Sequence, residues 1–280
     1  MPAGASVSWG RRRPAGARLA YDARMLRHAL VRPPGATFAA GLTRARLGAP
    51  DLALARAQHA RYCEALERCG LAVTRLAPDD VHPDATFVED CAVLVPGLAV
   101  LARPGAESRR GEVAAVRAAL AGGTAAVREI AAPGTLDGGD VCEAGGTVFV
   151  GVSERTNEEG ARQLAELLSR RLYAVTVVDI RGVPGLLHLK SGLAHLGDSR
   201  LAAVAALAER DLFAGYEVVR VEPGEEYAAN CVRVNDRVLI AAGHPRFAAA
   251  LGALGYATIA VEMSEFRKQD GGPSCLSLRY

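Results

Sequence analysis

Apolar and polar positions along the chain repeat in a fixed order. From Phe87 the sequence reads FVEDCAVLV, a Pro96-Gly97 turn, LAVLA, and an Ala-rich helical pattern over 111–121. From Leu136 it reads LDGGDVCEA, a Gly145-Gly146 turn, TVFVGV, a helical pattern over Glu158–Ser169, then LYAVTVVDI. From Leu186 it reads LLHLKSGLAHL, a Gly197-Asp198 turn, RLAAVAA, a short helix and YEVVRVE. From Asn230 it reads NCVRV, an Asn235-Asp236 turn, RVLIAA, a helical pattern over 246–254 and ATIAVEM. Short β-rich runs around Gly and Asn dipeptides mark hairpins, and apolar residues three and four apart mark helices. Each unit is therefore strand, hairpin, strand, helix, strand.

The N-terminal region supplies a degenerate fifth copy: a strand over His28–Val31, a helix over 51–69 ending at Gly70, and a strand over 71–76. Five such units do not fit a doubly wound parallel sheet, because hairpins demand antiparallel neighbours. They fit radial repetition, in which small sheets bury their faces against one another, helices lie outside, and only short edges stay exposed. The competing architecture is a mixed two-domain α/β protein.

Composition narrows the function classes. Half of the 280 residues are apolar and 23% are charged, which excludes disorder for most of the chain. Thirty-three basic against 31 acidic side chains leave a net +2, too even for a dedicated polyanion binder, so nucleic acid is not an expected partner. No run approaches the ~20 apolar residues of a membrane span. Residues 1–25, with Arg11, Arg12 and Arg13 and no apolar core, read as a flexible tail without an export signal, and 26–280 as a single domain. The six cysteines (Cys63, Cys69, Cys91, Cys142, Cys231, Cys275) contain no C-x-x-C pair, so a zinc framework is not expected and a reducing cytoplasm is the default location.

In a ring of such units the innermost strands face a common axis, so polar residues at their starts are site candidates. These are Asp84, Glu89 and Asp90; Asp137 and Asp140; His188 and Lys190; Asn230; and, after the last unit, Asp270 and Cys275. Burying them is costly without a partner or a purpose. A thiolate is a natural attacker on an amidine-like carbon, and a histidine is the natural proton donor and acceptor beside it. Carboxylates are what a permanently charged, planar guanidinium requires in a dry site.

The motifs FVED (87–90), LDGGDV (136–141), RTNEEG (155–160), LHLKS (187–191), AANC (228–231) and SEFRKQDGGPSC (264–275) fall in the order and spacing of a known family. From about residue 26 to 280 the chain resembles the dimethylarginine dimethylaminohydrolases of the guanidino-group-modifying superfamily. The resemblance implies an α/β fold, a five-bladed α/β propeller around a central site. It implies a cofactor-free cysteine hydrolase that converts Nω-methylated arginine to citrulline and a methylamine through an S-alkylthiouronium. It assigns Cys275 as nucleophile, His188 as general acid and base, and Asp137 as the carboxylate orienting His188. Relatives often carry the longer Glu at that last position. Asp84, Glu89 and Asp90 would hold the guanidinium. Arg109 and Arg155 would hold the α-carboxylate, with Leu42 contributing a lid carbonyl and Gln269 and Asp270 lining the pocket. Gly138 and Gly139 would let backbone approach the axis.

Two other readings stay open. Arginine deiminases of the superfamily place a carboxylate two residues after the histidine; here that residue is Lys190, which cannot accept a hydrogen bond and leaves room for methyl groups. A non-catalytic guanidine binder would keep the fold without turnover. Cys275 and His188 alone are too few ligands for a structural zinc, though zinc inhibition stays open. The methylation state preferred, the oligomeric state (a homodimer among the options) and the physiological role are not fixed by sequence.

Overall fold

The structure, a computed structural model, describes residues 8–9, 25–123 and 126–280. Five small sheets are arranged as the blades of an α/β propeller. In four of them the chain runs outward in the same way: an inner strand, a hairpin to an antiparallel middle strand, a helix or helical turn, and an outer strand parallel to the middle one. Ala92–Val95, Leu98–Leu101 and Ala126–Glu129 form one blade. Val141–Ala144, Thr147–Val152 and Ala174–Asp179 form the next. Leu193–Gly197, Arg200–Val204 and Glu217–Val221 form the third, and Val232–Val234, Arg237–Ala241 and Ala257–Val261 the fourth.

The remaining blade joins the two ends of the chain. His28–Val31 pairs in parallel with Ala72–Arg75, and its inner partner is the C-terminal strand Ser277–Arg279, antiparallel with Ser277 opposite Val31. The ring is thus closed by a strand from the opposite end of the sequence, which the repeat pattern did not reveal. The tail expected over 1–25 lies outside the described residues, apart from Ser8–Trp9, which pairs antiparallel with Val175 and Thr176 at the edge of the second sheet, and Met25.

Local chemistry explains where the helices fall. Leu52–Arg68 begins at Asp51, whose carboxylate accepts the Leu54 N–H at 2.9 Å, and Gly70 follows its end with φ of +87°. Glu158–Ser169 begins at Asn157, whose side chain accepts the Gly160 N–H at 2.8 Å, with Glu158 and Glu159 against the positive helix end. Its stripe of Ala161, Leu164, Ala165 and Leu168 is buried against Val148, Val150 and Val175. Truncating either leucine to alanine in such a setting costs roughly 2–5 kcal/mol. Among the described residues no helix is long and apolar enough to cross a membrane.

One expectation is corrected. The motif residues do not sit on the strand starts themselves. Short 3-10 turns, Val88–Cys91, Gly138–Asp140, Leu189–Ser191 and Glu226–Ala229, precede the inner strands, and successive turns touch one another in chain order. In a turn with three residues per revolution, neighbouring side chains point about 120° apart instead of alternating across a sheet. That geometry decides which residues meet at the hub.

Candidate active site

The hub cavity is lined by Leu42, Asp84, Phe87, Asp90, Arg109, Arg155, Leu187, His188, Gln269, Asp270, Gly271 and Cys275. Nine of the eleven residues to which the resemblance assigns a catalytic or substrate-binding role line this one small space. Asp137 lies just behind it, its Oδ2 3.1 Å from His188 Nε2. The short Asp therefore reaches the imidazole. Asp137 is held in turn by the Gly105 N–H at 2.9 Å, and its own N–H donates to Thr156.

Backbone approaches closely here because two glycines allow it. A Cβ on Gly138 would lie 2.0 Å from the Glu89 carbonyl oxygen, and one on Gly139 would lie 2.7 Å from Asp90 Oδ1 and 2.9 Å from His188 Nδ1. The Gly139 N–H donates to that Asp90 oxygen at 2.8 Å. Asp140, the next residue, ties the following turn in place: it accepts from the Leu189 N–H at 2.9 Å and from Ser153 Oγ at 2.7 Å.

Electrostatics divides the acids. Burial works to raise the Asp90 pKa, but His188, Arg109 and the Gly139 N–H hold its carboxyl well below the usual range. Burial raises Asp84 and pushes Asp140 up to about 6. Burial also works against charging His188, yet Asp90, Asp140 and Asp137 outweigh it and push the imidazole up to about 9. Burial, with the Glu89 and Asp90 charges, pushes the Cys275 thiol up to about 11. At neutral pH the site therefore holds a thiol, an imidazolium and an ionised Asp90.

The two arginines differ. Arg109 is 4% exposed and saturated: it donates to Asp90 Oδ2 at 2.6 Å, to both Glu112 oxygens, and to the Asp84 and Phe87 carbonyls. Arg155 carries a buried Nη1 with no hydrogen-bond partner, 4.0 Å from Asp137. Gln269 Oε1 is likewise buried without a partner. Above the cavity, the loop following Gly41 is pinned as a strap. The Leu42 N–H donates to Asp84 at 3.0 Å, Thr43 Oγ1 to the Lys268 carbonyl, the Arg44 N–H to Asp270, and the Arg44 side chain to Glu154.

Glu89 does not line this cavity. Its carboxylate receives Lys190 Nζ at 2.7 Å, Arg279 Nη2 at 2.9 Å and Ser274 Oγ at 2.8 Å, and it borders a second, axial cavity with Lys190, Ser274, Arg279 and Gly138. Glu112 was not singled out in the sequence; burial pushes it up to about 7 although Arg109 opposes this. Its position in an Ala-rich helical stretch carried no signal. Ligand atoms of Asp90, Asp137 and His188 lie within 4.8 Å of one another. His188 faces Asp137, and Asp90 faces Arg109 and Gly139, so the trio is built as an ion-paired network.

A five-bladed α/β propeller with a thiol, an imidazole and an acid cage at its hub defines a class, the proteins built to handle a guanidino group. Residues 119–230 match the family model for arginine deiminase. The chain is 41% identical to the dimethylarginine dimethylaminohydrolase of Pseudomonas aeruginosa over 91% of its own length and all of the relative's. It is 39% identical to that of Streptomyces coelicolor over 90% of this chain and 96% of the relative. A solved structure of the P. aeruginosa protein, a cysteine-to-serine variant with citrulline, superposes with a TM-score of 0.88 at 40% identity, covering 92% of this chain and all of that one. The chain belongs to the dimethylarginine dimethylaminohydrolase family.

Proposed function

We propose that this protein hydrolyses Nω-methylated arginine to citrulline and a methylamine, with Cys275 as nucleophile, His188 as general acid and base, and Asp137 orienting the imidazole. The observation that carries the reading is that one cavity is bordered by Cys275, His188, Asp90 and Arg155, whose buried Nη1 has no hydrogen-bond partner. Asp90 is ionised and offers acceptors to a guanidinium, while Arg155 has a free N–H donor for the α-carboxylate. Arg109, saturated by Asp90 and Glu112, acts in this reading by keeping Asp90 ionised. Glu89, already shared among Lys190, Arg279 and Ser274, supports the nucleophile loop from below.

The chemistry follows from the protonation states. The substrate cation enters beside Cys275, favours the thiolate, and the thiol proton leaves to solvent. Sulfur adds to the guanidinium carbon. The C–N bond to the methylated nitrogen breaks as His188 passes its proton to the departing amine. Water then attacks the thiouronium carbon while neutral His188 takes its proton; the C–S bond breaks, and citrulline leaves. No step needs a cofactor. The relative's complex with citrulline supports this product.

The reading favours methylarginine over arginine because position 190, where arginine deiminases carry a carboxylate, holds a lysine turned to the axial cavity. Its ammonium donates to Glu89 and supplies no acceptor for an unsubstituted guanidinium nitrogen. The reading places the enzyme in the cytoplasm, where six free thiols persist, and includes a homodimer, which light scattering reads directly. Citrulline release assayed on arginine, monomethylarginine and dimethylarginine tests the function: methylated substrates should turn over faster, and faster turnover of arginine would overturn it.

A further inference from the structure

Asn230 closes the 3-10 turn Glu226–Ala229, just ahead of the inner strand Val232–Val234. It is 4% exposed and lies against the loop that carries Cys275. Its Oδ1 accepts the Ser274 N–H at 3.0 Å, and its Nδ2 lies 3.6 Å from Cys275 Sγ. The orientation of the amide is settled by the first contact, because a flipped amide would set two donors against each other at Ser274. A second donor, the Gly272 N–H, reaches the same sulfur at 3.4 Å. Gly272 makes the approach feasible: a Cβ there would lie 2.5 Å from Asn230 Cγ and 2.8 Å from Nδ2.

We propose that Asn230 is a further catalytic residue, which together with the Gly272 N–H forms a two-donor cradle for the Cys275 thiolate. The proposal rests on Cys275 being the nucleophile. The need is physical: burial and the Glu89 and Asp90 charges oppose ionisation of this sulfur, and donors aimed at an anion are what offset such a field. A hydrogen bond to a charged acceptor is among the stronger ones, and its loss corresponds to roughly a ten- to hundredfold drop in thiolate population. Asn230 also anchors the loop through Ser274, so the test must separate holding the loop from feeding the sulfur.

Asn230→Asp does so. It keeps an oxygen for the Ser274 N–H and replaces the sulfur-facing donor with an acceptor. The assay is alkylation of the native protein by iodoacetamide at pH 8–10, with the modified cysteine located by mass spectrometry; the other five cysteines are buried. Asn230→Asp should alkylate at least tenfold more slowly than wild type at pH 9, and kcat on dimethylarginine should fall by a similar factor with KM little changed. Asn230→Ala, which loses both contacts, should also slow alkylation about tenfold. Wild-type alkylation rates in Asn230→Asp would overturn the proposal and leave a loop anchor only. The alkylation profile needs no turnover, so a wild-type protein that releases no citrulline would sink the proposed function without touching this result.

Discussion

Replacing His188 with glutamine removes a cation that three carboxylates stabilise, and the cost should depend on pH in a calculable way. In the folded protein burial lowers the His188 pKa, and Asp90, Asp140 and Asp137 more than reverse that, to about 9 from an ordinary 6.5. The gap corresponds to about 3.4 kcal/mol at 1.36 kcal/mol per pH unit. Because the folded-state value is raised, the native state holds the proton more tightly than the unfolded chain. The stabilisation is complete below about pH 6.5 and disappears as pH climbs through 9. It amounts to about 3 kcal/mol at pH 6, about 1.4 at pH 8 and about 0.4 at pH 9. Urea unfolding of wild type and His188→Gln, followed by far-UV circular dichroism at those three pH values, reads it. The stability difference between the two proteins should shrink by about 3 kcal/mol from pH 6 to pH 9. Comparing the two proteins cancels the buried thiols, which titrate in both. A difference that stays constant across the series would mean a neutral imidazole at pH 7, and His188 would lose its role as the acid that meets the departing amine.

Cys275→Ser should bind dimethylarginine by calorimetry and lose turnover by several orders of magnitude; near-full activity would remove the covalent mechanism. Arg155→Met should raise KM for methylarginine roughly ten- to hundredfold with kcat little changed, because a contact to the α-carboxylate is made equally in ground and transition states. Glu89→Gln should cost about 3 kcal/mol in urea unfolding, since Lys190 and Arg279 lose a buried partner. Asp90→Asn, placed in the Cys275→Ser background, should abolish measurable methylarginine binding, whereas Glu89→Gln in that background should weaken it only modestly.

Helices and hairpins were legible because their signals are local: Asn157 beside its own helix, Gly70 after the previous one, Gly145-Gly146 between two runs that can only pair. The histidine and Asp90 were legible because each falls just ahead of an inner strand of the repeat, and Cys275 because its motif SEFRKQDGGPSC carries the family resemblance. Three features were not legible. The strand Ser277–Arg279 completes the first blade from the far end of the chain, and its pattern of three residues carries no address. The difference between Arg109 and Arg155 depends on which finds a carboxylate within hydrogen-bond distance, and Glu112, a partner that saturates Arg109, looks like any helix-start acid. The direction of Glu89, away from the cavity that Asp84 and Asp90 line, is set by the 3-10 geometry of its turn.

That geometry is how the ring builds a site. Three segments each contribute nearby residues that part company: Asp90 faces the reaction cavity and Glu89 the axial one, His188 the first and Lys190 the second, Cys275 the first and Ser274 the second. The residues facing the axial cavity then bond to each other, Lys190 and Ser274 both meeting on Glu89. Three blades are thereby locked together one or two residues away from the groups that need exact placement. A loop-borne nucleophile would ordinarily be imprecise, because loops are mobile. Here Cys275 is bracketed by a neighbour tied to Glu89 and by its own carbonyl, which accepts the Glu89 N–H at 3.2 Å. The ionic cluster beneath the site therefore acts as its foundation, and its charges are also part of the field that keeps the thiol protonated until a cation arrives.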